Sequence, residues 1–321
     1  MTETTASLQE TAEGYGQEGA GYGTGGAEYG AQSAEYGGEA SGGLPFEELP
    51  EFIEHHIADG TYIEFFGFNI PTDVVHFPTF EILGQTVDLT PTRHLVFMLI
   101  AAFLCIGVFV PMARAAVRRG PEKAPSGFAN AMEGMILYFR DNVVRANIGH
   151  GADGYTPFIL TIFFFILTMN LLGLTPFGIT STANLSVTAV LAIIAFLATE
   201  ISGFRALGPV GYAKTIFFIP AGLPVFMKPI MLVILAPVEF LGKLTKPFAL
   251  AIRLFANMMA GHTLVLAVMG LIFVYQSPFV AGGSVVVAST IMILELFVAF
   301  LQAFIFTMLT AVFIGLIRHA H

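Results

Sequence analysis

Between Phe248 and Leu294 the chain carries one obligate charge, Arg253, and one histidine, His262, in otherwise apolar sequence. A guanidinium does not readily give up its proton. At the centre of a bilayer it costs about 2.5–3.5 kcal/mol on insertion scales. Such a residue persists where a carboxylate, a water-filled cavity or backbone carbonyls receive it; the plainer alternative is a side chain that snorkels to an interface. Asn257 lies four residues later, on the same helical face, where it can act at the charge or serve as polar glue between helices. His262 lies nine residues on, about 180° around the helix axis. Glu295 and Gln302 are two turns apart on one face of the next apolar segment, and Glu295 is the only acid there. A cation, an acid and an imidazole that titrates near neutral pH are the groups needed to hold and hand on protons. Glu239, fourteen residues before Arg253, is about 40° off its face and roughly 21 Å along the axis. Lys243 follows it by four, so an ordinary ion pair within the helix is the competing reading.

The elements that carry these groups must be membrane-spanning. Of 321 residues, 55% are hydrophobic and only 12% charged. A soluble domain carries about 25% charged residues. The net charge of −9 is uneven: no Lys or Arg precedes Arg93, so the first part is acidic and the rest nearly neutral. An acidic tail argues against nucleic-acid binding. Cys105, the single cysteine, cannot form a disulfide within the chain and reads as packing. The N-terminus lacks a basic segment followed by an apolar core, so insertion is expected to be directed by the first spanning helix.

Three regions follow along the chain. Residues 1–44 are Gly, Glu, Ala and Tyr, with Tyr15, Tyr22, Tyr29 and Tyr36 at seven-residue intervals. The glycines between them oppose a coiled coil, and a disordered tail is expected. Residues 45–93 form a small polar-side segment, with a β-hairpin expected over Phe80–Leu89 around Gly84. His55-His56 suggests metal only weakly, because adjacent helical residues point about 100° apart. Residues 94–321 are the membrane domain. A helix needs about 20 apolar residues to cross a hydrocarbon layer of about 30 Å. Leu95–Met112 is the first span, and Arg114, Arg118, Arg119 and Lys123 place its far end in the cytoplasm. Residues 127–145 suit an interfacial amphipathic helix. Gly154–Thr199 has no charge and is long enough for two crossings, with a turn near Thr175-Pro176-Phe177-Gly178.

Pro229–Tyr275 and Val285–Ile317 read as two further helices of roughly 70 Å and 50 Å. Joined by a turn containing Gly-Gly, they must incline steeply, with bends expected at Pro237 and Pro247, as if wrapping a curved partner. The fold class is therefore an all-α polytopic membrane protein of about five transmembrane helices plus an interfacial helix. The N-terminus is expected outside the cytoplasm and the C-terminus within it. His94, His150, Glu133 and Glu200 fall near the expected interfaces and read as solvated ends.

The run from Lys246 to His262, with its core Arg253-Leu254-Phe255-Ala256-Asn257-Met258, resembles the signature helix of subunit a of F-type ATP synthases. Leu301-Gln302-Ala303-Phe304-Ile305-Phe306 is a second match, and Asn170-Leu171-Leu172-Gly173-Leu174 a weaker third. The resemblance extends from about residue 50 to the C-terminus. It implies a non-catalytic stator that moves protons, partnered by a ring of c subunits, peripheral-stalk subunit b and a soluble catalytic head, in a bacterial inner membrane. No cofactor is implied. Arg253 would face the carboxylates of the ring, keeping the facing one ionised and separating two aqueous half-channels.

Asn257 would then lie near the exchange point, and Gln302 would hold the guanidinium, packing alone being its alternative. Glu295 would meet His262 in the outer half-channel, as a relay or as a passive salt bridge. Some bacterial members place acid and imidazole the other way round, which preserves the pair but not its wiring. Glu239 would suit the cytoplasmic half-channel, and Asn184 a polar position of the outer one. No GxxxxGK[ST] phosphate loop occurs. A secondary proton-coupled transporter is the alternative; it calls for internal repeats around a substrate site, and none is visible. A membrane scaffold would leave Arg253, Glu295 and Gln302 without purpose.

Overall fold

A computed structural model of the chain describes residues 45–51, 53, 62–65, 68–71, 80–82, 85–87, 92–120, 126–175, 180–217 and 224–319. The Gly/Tyr tail, His55-His56, Lys123 and the Pro176-Phe177-Gly178 turn lie outside the described residues. Among the described residues, strands occur only ahead of the first long helix. β1 (Tyr62–Phe65) pairs antiparallel with β2 (Phe68–Pro71), and β3 (Phe80–Ile82) with β4 (Gln85–Val87), in the register Phe80 to Val87 and Ile82 to Gln85.

From Arg93 onward the described elements are helices. α1 (Arg93–Arg119) ends on Arg118-Arg119 and on Gly120 at φ 74°, a conformation that glycine adopts without a Cβ penalty. α2 (Phe128–Tyr138) runs into a seven-residue π-helical stretch, Phe139–Arg145, and a last turn, Ala146–Ile148. The widened turn brings Phe139, Val143, Val144 and Ile148 to the buried side together, while Arg140, Asp141 and Arg145 pair outside, with Arg145 2.9 Å from Asp141. The segment thus has an apolar face set into the bundle and a charged face turned away from it.

α3 (Thr156–Gly173) is the central post. Its buried residues, among them Ile159, Phe163, Ile166, Met169 and Asn170, form a broad face, while Thr161 on the opposite side is exposed, so the helix is set deep in the bundle with one side left open. α4 (Leu185–Ile216) starts on Asn184, whose side chain accepts from the Ser186 N–H at 2.8 Å, an N-cap. It breaks at Gly208 (φ 67°, ψ 174°) before Pro209, a backbone state essentially confined to glycine.

α5 (Lys228–Tyr275) has 48 residues and continues through both Pro237 and Pro247, and α6 (Pro278–Arg318) has 41. At 1.5 Å per residue they measure about 72 Å and 62 Å, so neither stands upright within a bilayer core of about 30 Å. The turn between them is not the Gly-Gly pair. Gln276, left-handed at φ 46°, and extended Ser277 make it, and Pro278 opens α6. Proline is pre-organised for the first helical position, so α6 begins seven residues earlier than the apolar run suggests and carries Gly282-Gly283 inside it.

Among the described residues, five helical segments are long and apolar enough to cross a membrane. α6 packs chiefly on α5, α3 and α4, and presents small buried residues at helical spacing: Ser284, Ala288, Ala299, Ala303 and Ala311. Small side chains let helix backbones approach where lipid supplies no hydrophobic drive. The tightest approach along α6 is at Gly315, where an added Cβ would lie 1.9 Å from the Asn147 carbonyl oxygen. Gly315→Ala is therefore expected to cost about 1–3 kcal/mol through overpacking. It should lower the melting temperature of the detergent-solubilised protein; an unchanged transition would mean that this contact does not hold α6 to the Ala146–Ile148 turn.

Candidate functional site

The α5–α6 pair creates two different environments on one helix. Leu250, Ala251, Leu254 and Met258 form the buried stripe of α5. Arg253 lies off that stripe, on an exposed face it shares with Phe248 and Ile252. Among the described residues no hydrogen bond or ion pair reaches its guanidinium. Asn257, one turn on, donates from Nδ2 to Gln302 Oε1 at 2.9 Å. Gln302 is buried, and its Nε2 has no partner among the described residues. The expectation that Gln302 holds Arg253 is thus corrected: the short amide of Asn257 reaches across to α6, while the long Arg253 side chain stays on the open face.

Nine residues past Arg253, His262 turns inward. Its Nε2 meets the Thr180 hydroxyl and lies 3.6 Å from Glu295 Oε1. Glu295 is 5% exposed, and this oxygen has no hydrogen-bond partner among the described residues. Two glycines admit the group. A Cβ on Gly261 would sit 2.6 Å from Glu295 Oε1, and one on Gly173 would overlap the Thr180 side chain.

Thr180 had no signal in the sequence, because it belongs to an irregular turn with no helical period. The same turn donates from Ser181 Oγ to the His94 carbonyl at 2.9 Å and from Thr182 Oγ1 to Asn170 Oδ1 at 2.7 Å; Asn170 Nδ2 donates in turn to the Ala299 carbonyl at 3.3 Å. His94, read from the sequence as a solvated end, is 3% exposed; the turn covers it. Asn184 takes the N-cap position noted above.

Toward the start of α5, Glu239 lines a cavity of about 270 Å³ between α4, α5 and α6, together with Glu200, Lys243, Lys246 and Thr310. Lys243 does not pair with Glu239. It lies 3.6 Å from Glu200 on α4 and donates to Thr215 Oγ1 at 2.9 Å. Glu200 is accordingly a partnered group with 16% of its side chain exposed, whereas Glu133 and His150 are exposed. Among the described residues no three His, Cys, Asp or Glu side chains converge as a metal site would require.

The sequence profile of the family described as ATP synthase A chain matches residues 95–315, a span that includes Thr180, Glu200, Glu239, Lys243, Arg253, Asn257, His262, Glu295 and Gln302. The chain belongs to the ATP synthase A chain family. It is similar to ATP synthase subunit a of Chloroherpeton thalassium, 45% identical over 262 residues, covering 82% of this chain and 75% of that one. It is also similar to ATP synthase subunit a of Anaeromyxobacter dehalogenans, 43% identical over 294 residues (88% and 75%), and to ATP synthase subunit a 2 of Chlorobaculum tepidum, 43% identical over 273 residues (84% and 74%). As a family member with five such helices, the protein is a multi-pass membrane component of ATP synthase.

Asn170, fully buried between α3, α6 and the Thr180–Ala183 turn, holds the wall behind His262. In this family member, Asn170→Leu should leave the Thr182 hydroxyl buried and unpaired, at a cost of about 1–3 kcal/mol. The melting temperature of the solubilised complex should fall, and adding Thr182→Ala should recover part of the loss. An undiminished melting temperature in the single variant would remove Asn170 from that role.

Proposed function

We propose that this chain is the stationary proton-conducting subunit of a rotary ATP synthase, with Arg253 opposite carboxylates carried by a ring of c subunits. The observation that carries this reading is the Arg253 guanidinium, unpartnered among the described residues on an exposed apolar face. A cation so placed in hydrocarbon is stable only with a counter-charge or water from outside the chain. An ionised carboxylate is just as costly in lipid. A ring carboxylate therefore stays ionised beside Arg253 and departs into lipid only after taking a proton. The same fixed charge repels a proton that would pass straight between the two access paths.

Each path has its own acid. On the outer side His262 and Glu295 hand protons toward the ring. Imidazole Nε2 shares a hydrogen bond with the Thr180 hydroxyl, and when protonated it has Glu295 Oε1 at 3.6 Å as the nearby acceptor. On the cytoplasmic side Glu239 and its cavity receive the proton that the ring releases. Asn257 and Gln302, bonded to each other, fix the α5–α6 spacing beside Arg253. The basic end of α1, Arg114, Arg118 and Arg119, supports a cytoplasmic location for that end. Five crossings then put the N-terminus outside and Arg318 inside, in the inner membrane of a bacterium. ATP chemistry belongs to the soluble head, joined through peripheral-stalk subunit b; this chain conducts and does not catalyse.

In inverted membrane vesicles, Arg253→Ala is expected to abolish ATP-driven proton pumping while the complex still assembles. Normal pumping would contradict the proposal. Glu295→Gln should slow pumping and displace its pH profile, because the relay loses its exchangeable acid; an unaltered profile would take Glu295 out of the path.

A further inference from the structure

We infer that Glu200 acts as a latch on Lys243, holding its ammonium away from Glu239 so that Glu239 remains free to exchange protons. The inference rests on the proposed role of Glu239 in the cytoplasmic path and names a positioning residue for it. Glu239 and Lys243 stand at i and i+4 with the acid N-terminal, the favourable order for an ion pair within a helix. Yet Lys243 points elsewhere. Its Nζ lies 3.6 Å from Glu200 Oε2, donates to Thr215 Oγ1 at 2.9 Å, and sits 4.5 Å from the centre of the Tyr212 ring. The Tyr212 hydroxyl donates to the same carboxylate, Glu200 Oε2. Lys243 and Glu200 retain 11% and 16% side-chain exposure, whereas Glu239 is exposed and, among the described residues, has no hydrogen bond or ion pair.

The break in α4 builds this arrangement. Gly208 takes a backbone state that other residues resist, and Pro209 starts the helix again in a new direction. Tyr212 and Thr215, both on the redirected piece, close over Lys243. The cavity then contains two carboxylates and two ammonium groups, Glu200, Glu239, Lys243 and Lys246, with one carboxylate engaged and the other open. Were Lys243 to pair with Glu239, its charge would hold that carboxyl ionised and slow its uptake of a proton, whether from the ring or, in ATP-driven pumping, from the cytoplasm.

The test is ATP-driven proton pumping in inverted vesicles bearing the whole complex, normalised to assembled complex by native electrophoresis. Glu200→Gln keeps an acceptor for Tyr212 and removes only the charge that holds Lys243. It is expected to slow pumping about fivefold, roughly the effect of a 1 kcal/mol change in a proton-transfer barrier. Glu200→Gln with Lys243→Gln is expected to return the rate to within about twofold of wild type, because no ammonium is left at that position to capture Glu239. A double variant as slow as the single one would overturn the latch, since a merely structural role is not repaired by a second deletion. Wild-type pumping in Glu200→Gln would overturn it too.

Glu239→Gln, measured alongside, separates the two readings. Slow pumping there with unaltered pumping in Glu200→Gln overturns the latch alone, whereas wild-type pumping in Glu239→Gln overturns the assigned path and the latch with it. Should Glu200→Gln not assemble, Thr215→Val removes only the hydroxyl to which Lys243 donates. It should give a smaller slowing that Lys243→Gln reverses, and no slowing would overturn the latch.

Discussion

A guanidinium cannot become neutral to suit its surroundings, and that constraint organises the membrane part of this protein. Arg253 is carried on a helix whose other side is a packed stripe of Leu250, Leu254 and Met258, so its charge cannot retreat into the bundle. The polar groups that follow it on α5 are already engaged: Asn257, one turn on, with Gln302 across the α5–α6 pair, and His262, farther along the helix, with Thr180 and Glu295. In hydrocarbon an unanswered charge is expensive, and the open face leaves the answer to another polypeptide. On the proposed reading, the rotor's carboxylates are that answer, and the cost of separating them from Arg253 while ionised becomes the rule that couples rotation to proton transfer.

The rest of the fold gives this charge a rigid seat and two separate approaches. α3, buried along a broad face, supplies the post against which α6 lays its small residues. Glycines mark the closest approaches, at Gly315 beside Asn147, Gly173 beside Thr180 and Gly261 beside Glu295. Each omits a side chain where a carbonyl, a hydroxyl or a carboxylate must enter. The two polar zones are built by different devices. The His262 zone is closed by an irregular turn whose three consecutive hydroxyls reach three different helices. The Glu239 zone is shaped by the break at Gly208-Pro209, which folds the end of α4 back over Lys243.

What the sequence made legible was whatever follows from a helical period. The excess length of the last two helices, the shared face of Arg253 and Asn257, and the inward turn of His262 all come from 3.6 residues per turn. Misreadings arose where one rule competed with another. Gly-Gly looked like the turn before α6, but Pro278 at the first helical position and a left-handed Gln276 made it earlier. Lys243, four residues on, offered Glu239 a competing ion pair, but Glu200, distant in sequence, reaches Lys243 from α4. Gln302 looked like the support of Arg253, yet Asn257 takes its oxygen. Thr180 was invisible because irregular turns leave no period to read. These are tertiary contacts between helices, and spacing within one helix does not specify them.

What faces Arg253 in the assembled machine decides whether its charge is answered by another subunit. The direct measurement is a cryo-EM structure of the intact ATP synthase at a resolution that defines side chains. The guanidinium is expected within about 4–6 Å of a carboxylate belonging to a different polypeptide, the range over which opposite charges control each other's ionisation. A guanidinium sealed against this chain's own helices, or open to bulk water with no neighbouring subunit across from it, would contradict the account.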